Sequence, residues 1–449
     1  MKRIFLAMLV VLVAGTSALF AYGYYLGDTV VIRSEQPASA ISSAPTTASN
    51  IAAQITKGEY LARAANCMGC HTTRGGLAYA GGRVISSEFG DFISPNLTPD
   101  VATGIGSWNA DQFWNALHNG KSKDGRLLYP AFPFTNYTQI MRKDADAMFA
   151  YFKSIPAIQR ENQAHALRFP YDQRPLLAFW RALYFRPGEY QSDSKQSVDW
   201  NRGAYMVKGL AHCGACHTSR NALGASDTGN ELGGAVMPIS HWYAPSLVAK
   251  DGAADDAMLS NWSGDQVSAL LHTGVSEKAH ASGPMAEVVV NSLQYLNDYD
   301  IHAMANYLQA LPAASKPKPD ALDRAIANRG ESKEEMARIM QEGGSIYKNH
   351  CIDCHGAEGK GAGTIYPALK ANPAILMSNA GNPIRIILSG GFPATTAGNP
   401  RPYGMPPFAP TLTDGEVALV LSYARNAWGN QAGVVSASEV NRYRTAPLD

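Results

Sequence analysis

Cysteine is absent from this chain outside three five-residue segments, and neither sign of charge dominates it. Lysine and arginine number 38 against 37 aspartates and glutamates, a net charge of +1. No broad basic surface for nucleic acid is therefore implied. The common nucleotide-binding and hydrolase signatures are missing as well: there is no G-x-G-x-x-G after a strand, no H-E-x-x-H, no P-loop and no G-x-S-x-G. Gly356 to Gly363 is glycine-rich but lacks the Lys-Ser/Thr ending that grips phosphate, so it reads as a tight turn. Uncharged apolar stretches are scarce too. The exception follows Met1-Lys2-Arg3 and runs from Ile4 to about Tyr24. A basic start before such a run marks a secretory segment, and roughly 20 residues also suffice to cross a bilayer. Residues 1–30 are expected to be a signal peptide or membrane anchor, with the remainder outside the cytoplasm.

What the chain does have is three copies of C-x-x-C-H: Cys67-Met-Gly-Cys70-His71, Cys213-Gly-Ala-Cys216-His217 and Cys351-Ile-Asp-Cys354-His355. These use all six cysteines. Two thiols three apart can reach the two vinyl groups of one haem, and the adjoining imidazole is then delivered to its iron. Thiolate zinc sites want two C-x-x-C halves close in sequence. Here the first cysteines of successive motifs lie 146 and 138 residues apart. The pattern predicts three covalently bound haems c, with Cys67, Cys70, Cys213, Cys216, Cys351 and Cys354 as attachment points and His71, His217 and His355 on iron.

At 449 residues there is room for two to four domains. The sequence repeats coarsely. Each unit opens with a Gly/Tyr-bearing helical stretch: Gly58-Glu-Tyr60, Gly203-Ala-Tyr205 and Gly344-Ser-Ile-Tyr347. Each then carries a Pro-x-Leu element, at Pro95, Pro245 and Pro367, and closes with a helix bearing Tyr151, Tyr307 or Tyr423. The expected division is a linker at 31–52, a first domain at 53–156 and an aromatic-rich connection at 157–199. A second domain at 200–312, a linker at 313–333, a third domain at 334–430 and a C-terminal tail at 431–449 follow. Within the connection, Arg174-Pro175-Leu-Leu-Ala-Phe-Trp180-Arg-Ala-Leu-Tyr-Phe185 reads mainly as packing between the first two domains, with membrane or partner contact as the competing reading.

The order of helix, C-x-x-C-H, Pro-x-Leu loop and terminal helix resembles class I cytochrome c domains. That resemblance implies an all-α fold of three consecutive such domains behind the N-terminal signal or anchor helix. It gives Pro95, Pro245 and Pro367 the role of accepting the second N–H of each ligating histidine. It also places a distal methionine just before the last helix, at Met405 in Tyr403-Gly-Met-Pro-Pro and at Met285 in Gly283-Pro-Met. A thioether in that position raises the haem potential. In the first unit the matching segment is Leu128-Tyr-Pro-Ala-Phe132-Pro-Phe134, and Phe132 has no group that binds iron. His118 and Met141 are the nearest alternatives, and an open or weakly ligated first iron is the third.

More narrowly, Trp200-Asn-Arg-Gly-Ala-Tyr205, Cys213 to Leu223, Gly283-Pro-Met-Ala-Glu-Val288 and Arg425-Asn-Ala-Trp-Gly-Asn430 are similar to the tri-haem cytochrome subunits of bacterial membrane-bound dehydrogenases. The resemblance implies a non-catalytic electron carrier on the periplasmic side of the cell membrane. Its partner would be a large molybdenum, quinoprotein (PQQ) or flavin (FAD) dehydrogenase, and it would deliver electrons to ubiquinone or a terminal oxidase. The Tyr-Pro-Ala-Phe-Pro segment is similar to that of cytochromes partnered with molybdenum enzymes. Competing readings are a self-contained haem redox enzyme with an open first haem, and an oxidase-associated cytochrome subunit.

Overall fold

In each repeat the helix before the haem motif and the helix that closes the repeat must meet face to face if they are to bury their apolar sides. A computed structural model of the chain describes residues 48–248, 259, 262–311 and 332–446, with scattered positions between 14 and 25. It divides into two compact units. The first comprises Met1–Asp193, Lys208–His212 and Ala222–Ala225; the second comprises Ser194–Val207, Cys213–Asn221 and Ser226–Asp449.

The first unit runs α1 (Ala48–Ala64), α2 (Cys67–His71), β1 (Val84–Ser87), β2 (Gly90–Ile93), α3 (Ala110–Asn119), α4 (Arg142–Ser154), β3 (Ala166–Leu167) and α5 (Leu176–Tyr184). The strands correct the all-α expectation. They form an antiparallel sheet in the order β1-β2-β3, with Val84 opposite Ile93 and Gly90 opposite Leu167. The cause is local. Ser87 Oγ donates to the Gly90 carbonyl at 2.7 Å and accepts from the Phe89 N–H at 3.1 Å, which closes a two-residue turn. Gly90, at φ 113°, leaves space for the Ala166 carbonyl of the third strand, where a Cβ would collide.

Phe92, Leu127, Tyr129, Leu177 and Ala178 form one buried cluster, so the aromatic connection packs onto this sheet. Phe185 is buried and the Trp180 Nε1–H donates to the Leu223 carbonyl at 2.8 Å, while Leu183 lies 66% exposed. No helix among the described residues is long and apolar enough to cross a membrane, so the expected anchor helix is not among them. Most of residues 1–30, and nearly all of the expected 313–333 linker, lie outside the described residues. Helix α1 begins within the stretch expected as the first linker.

The second unit holds the remaining two motifs. Its elements are α6 (Val198–Tyr205), α7 (Gly214–His217), β4 (Ala235–Val236), β5 (Tyr243–Ala244), α8 (Gly264–Thr273), α9 (Gly283–Asn291), α10 (Asp298–Gln309), α11 (Lys333–His350), α12 (Ile352–His355), α13 (Gly381–Ser389), α14 (Asp414–Asn426) and α15 (Ala437–Arg444). Strands β4 and β5 pair antiparallel, a second departure from all-α. Residues 431–446 are no loose tail. Val435 and Val440 are buried with Val417 and Leu421, and Arg444 bonds Asp414 at 2.5 Å and the Ala409 and Leu412 carbonyls.

The three helix crossings are α1 on α4, α6 on α10 and α11 on α14. Each depends on one glycine. A Cβ at Gly58, Gly203 or Gly343 would run into the carbonyl oxygen of Ala147, Ala303 or Leu419 respectively. In the third repeat the crossing uses Gly343, not the neighbouring Gly344. The residue before each glycine differs. Lys57 pairs with buried Asp144 at 2.5 Å, and Arg202 makes a two-pronged bond to buried Asp300 at 2.6 and 2.7 Å. Glu342 instead bonds Arg338 of its own helix at 3.0 Å. A further repeat is visible in the middle helices: Asn109 with Gln112, and Ser263 with Gln266, form full capping boxes, and both helices end at a left-handed glycine, Gly120 and Gly274.

Candidate haem centres

Each C-x-x-C-H segment is a single helical turn, which sets its two thiols one turn apart and carries the histidine at its end. None of the six cysteines is in a disulfide. Burial, with the second cysteine of each pair adding to it, pushes Cys67 and Cys213 up to about 12 and Cys351 to about 11. The three imidazoles share one geometry. His71 Nδ1–H donates to the Pro95 carbonyl at 2.8 Å, His217 to Pro245 at 2.7 Å and His355 to Pro367 at 3.0 Å. These are the bonds that the class I resemblance implied for the Pro-x-Leu loops. With Nδ1 so engaged, Nε2 keeps its lone pair for a metal. Burial lowers the pKa of all three rings, outweighing the opposing pull of each carbonyl, and so favours the neutral ligand form.

The first centre is the most enclosed. His71 is 9% exposed. Asn66 enters the turn at φ 48°, and the Tyr137 hydroxyl donates to the Ala65 carbonyl at 2.7 Å just ahead of Cys67. The second is approached through a π-helical turn, Met206–Leu210, an irregularity that often marks functional sites. The second and third are more open than the first, with Cys216 and Cys354 exposed and His217 and His355 half-buried; at the third the Tyr347 hydroxyl donates to the Gly356 carbonyl at 2.7 Å.

Met405 sits on a loop fixed by reciprocal backbone bonds with Gly391, at 2.8 and 3.0 Å. Met285 lies in the first turn of α9, after Gly283 at φ 53°, whose missing Cβ admits the Trp242 ring. In the first unit Phe132 is half-buried, 5.4 Å from the Tyr137 ring. His118 is buried and stacked on Trp114 at 4.4 Å; its ring is hydrogen-bonded to the Thr138 backbone, with Nδ1 unpartnered. Met141 is the N-cap of α4.

Among the described residues no three of His, Cys, Asp and Glu converge as a structural zinc site would require. The donor set suits haem c instead: paired thiols, one oriented imidazole and, in the second unit, buried indole and imidazole nitrogens that have no partner among the described residues and are free for a haem carboxylate. A family model described as cytochrome c matches residues 55–156 and 340–428. The cytochrome c subunit of the quinone alcohol dehydrogenase of Gluconobacter oxydans is 34% identical over 410 residues, covering 88% of this chain and 82% of that protein. The chain belongs to the cytochrome c subunits of dehydrogenases.

Two other members place it further. The fructose dehydrogenase cytochrome subunit of Gluconobacter japonicus is 35% identical over 436 residues, with 93% of this chain and 88% of the relative covered. A nicotinate dehydrogenase subunit of Pseudomonas putida is 38% identical over 380 residues; these are 84% of this chain but only 30% of that longer protein. As a cytochrome c subunit the chain binds haem c and transfers electrons. The family model leaves the middle motif unmatched. The Cys213–His217 turn therefore rests on its own geometry, which repeats that of the other two.

Sequence reasoning missed several residues of the sites. Tyr137, Asn66 and Trp242 carry no motif. The repeated Trp-x-x-Asp-Gln of Trp108–Gln112 and Trp262–Gln266 was the available signal for the capped helices.

Proposed function

We propose that this chain is a tri-haem c subunit that carries electrons from a partner dehydrogenase to ubiquinone or a terminal oxidase, on the periplasmic side of the cell membrane. The observation that carries the reading is the threefold recurrence of one arrangement: a Cys-x-x-Cys-His turn whose imidazole Nδ1–H is taken by the carbonyl of a loop proline. Bound haem c supplies reversible one-electron exchange at its iron. The chain's own residues do the rest. Cys67, Cys70, Cys213, Cys216, Cys351 and Cys354 fasten the macrocycles, and His71, His217 and His355 orient toward iron. Met285 and Met405 supply thioethers that raise the potentials of the second and third centres, and the first centre lacks that sulfur.

The partner we propose is a molybdenum-type dehydrogenase acting on an aldehyde or N-heterocycle. The Tyr129-Pro-Ala-Phe-Pro133 segment and the 38% identity to a nicotinate dehydrogenase subunit support this choice. Quinoprotein alcohol and flavin sugar dehydrogenases are the other partner classes in the family.

Purification of the complex from solubilised membranes, with the partner's cofactor identified by metal analysis, tests the proposal. Molybdenum in a stoichiometric large subunit, and haem reduction on adding its substrate, is the expected result. A cytochrome that purifies alone, or with oxidase subunits, contradicts it.

A further inference from the structure

Inside the second unit, the regions of the second and third motifs meet along a seam. Asn382 of α13 accepts from the Tyr243 N–H at 2.8 Å and donates back to the Tyr243 carbonyl at 2.7 Å. Thr396 Oγ1 donates to the Thr273 carbonyl at 2.9 Å. Gly274, at φ 79°, has the Ala394 Cβ where its own side chain would begin, 2.6 Å from an added Cβ. The Arg385 guanidinium lies 5.0 Å from the Trp242 ring centroid.

Among the described residues, the side chains of Trp242 and His280 on this seam have ring nitrogens with no protein partner. The Trp242 Nε1 and both ring nitrogens of His280 are buried and without a hydrogen-bond partner. Native proteins rarely leave such groups dry, so each asks for a ligand. His280 is held in place, not loose. It lies opposite Val275 in a tight hairpin closed by Ser276 N–H to Ala279 O at 2.9 Å and Ala281 N–H to Gly274 O at 2.8 Å. By chain it belongs to the segment that leads into Met285. By position it lies within electrostatic reach of His355; burial, and then that imidazole, push its pKa down to about 4. A neutral ring offers one N–H donor and one acceptor. Trp242 flanks the same segment, its ring filling the space at Gly283.

A haem c whose vinyl groups are consumed by thiols still carries two carboxylates, and a carboxylate away from water requires donors. We propose that the His280 and Trp242 N–H groups hold haem carboxylates at this seam, and so position the second and third haems as one rigid electron relay. The inference rests on the three-haem reading. Both residues act by positioning; neither touches the iron.

The test uses the full-length protein with its haem count measured first; a wild-type count below three is the failure of the underlying reading and is recorded separately. Trp242→Phe keeps the ring and removes only the N–H. His280→Leu removes the imidazole, and His280→Gln restores a donor. Resonance Raman bands of the haem carboxylate side chains and a haem-resolved redox titration are then compared with wild type and with Glu277→Gln, on the exposed tip of the same hairpin. A shifted carboxylate band and one moved midpoint potential in Trp242→Phe and His280→Leu, partial return in His280→Gln and no change in Glu277→Gln are expected. Unaltered bands and potentials in three-haem Trp242→Phe and His280→Leu overturn the proposal. Should His280→Leu lose a haem, Trp242→Phe alone decides it.

Discussion

The first and third motif regions solve the same packing problem with different parts. In the first, α1 and α4 are pinned by Lys57 and buried Asp144, the imidazole of His71 is buried, and the loop before the last helix presents Phe132. In the third, the residue before the crossing glycine is Glu342, the carboxylate of Glu416 is spent on the Thr413 cap, Cys354 is exposed, and the loop presents Met405. The first region has an ion pair across the crossing and no methionine at the loop position of Phe132; the third has the loop methionine and, among the described residues, no ion pair from Glu342 across the crossing. The second has both, in Arg202 with Asp300 and in Met285. The helix crossing and the residue on that loop thus vary independently: the glycine contact is common to all three, and the rest differs from region to region.

The largest effect that tests this comparison is loss of a haem. Replacing both cysteines of the first motif, or both of the third, with alanine should lower the pyridine haemochrome ratio from three to two in either case. A ratio that stays at three shows that the motif does not bind haem. Next comes ligation. Met405→Ala should lower one midpoint potential substantially, and Phe132→Met should move the most atypical haem toward the other two. An unmoved potential in Phe132→Met means that this loop does not face iron.

Smaller effects concern the crossings. Arg202→Ala leaves Asp300 buried without its guanidinium and should cost about 3 kcal/mol in chemical unfolding. Lys57 is half-exposed, so Lys57→Ala should cost less, about 2 kcal/mol. Glu342→Ala removes only an exposed pair within one helix and should cost about 0.3 kcal/mol. Equal losses in all three would break the comparison.

The smallest expected effect is at α15. Hydrogen bonds from Asn441 and Arg444 hold the Asp414 carboxyl below its ordinary value of 3.8. A depressed folded-state pKa lends stability that is full above the ordinary value and is lost as pH falls through the folded one. The melting difference between wild type and Asp414→Asn should therefore be present at neutral pH and vanish only below pH 3.8.

The three turns were legible from the fixed C-x-x-C-H spacing and their prolines from the Pro-x-Leu element, although the separation of histidine and proline varies over 24, 28 and 12 residues. The crossing contacts themselves were not legible: of the adjacent Gly343 and Gly344, only the Leu419 carbonyl selects Gly343. The strands were not legible. β1 to β3 are short, and β3 comes from a segment some 75 residues downstream of the hairpin it completes. A reading tuned to helical repeats has no window for that pairing. Likewise the C-terminal helix looked like a tail because its apolar signal is little more than Val435 and Val440, while the bonds of Arg444 to Asp414, Ala409 and Leu412 follow no sequence pattern. His280 was invisible for a stronger reason: its role depends on a seam between residues more than a hundred positions apart.

The central claim is three covalent haems on one chain, and its most direct measurement is acid-acetone extraction followed by pyridine haemochrome and intact mass on the same sample. The account predicts that the colour stays with the protein, at three haems per polypeptide and a mass increased by three haems. Extractable haem, or a stoichiometry of one, would contradict it.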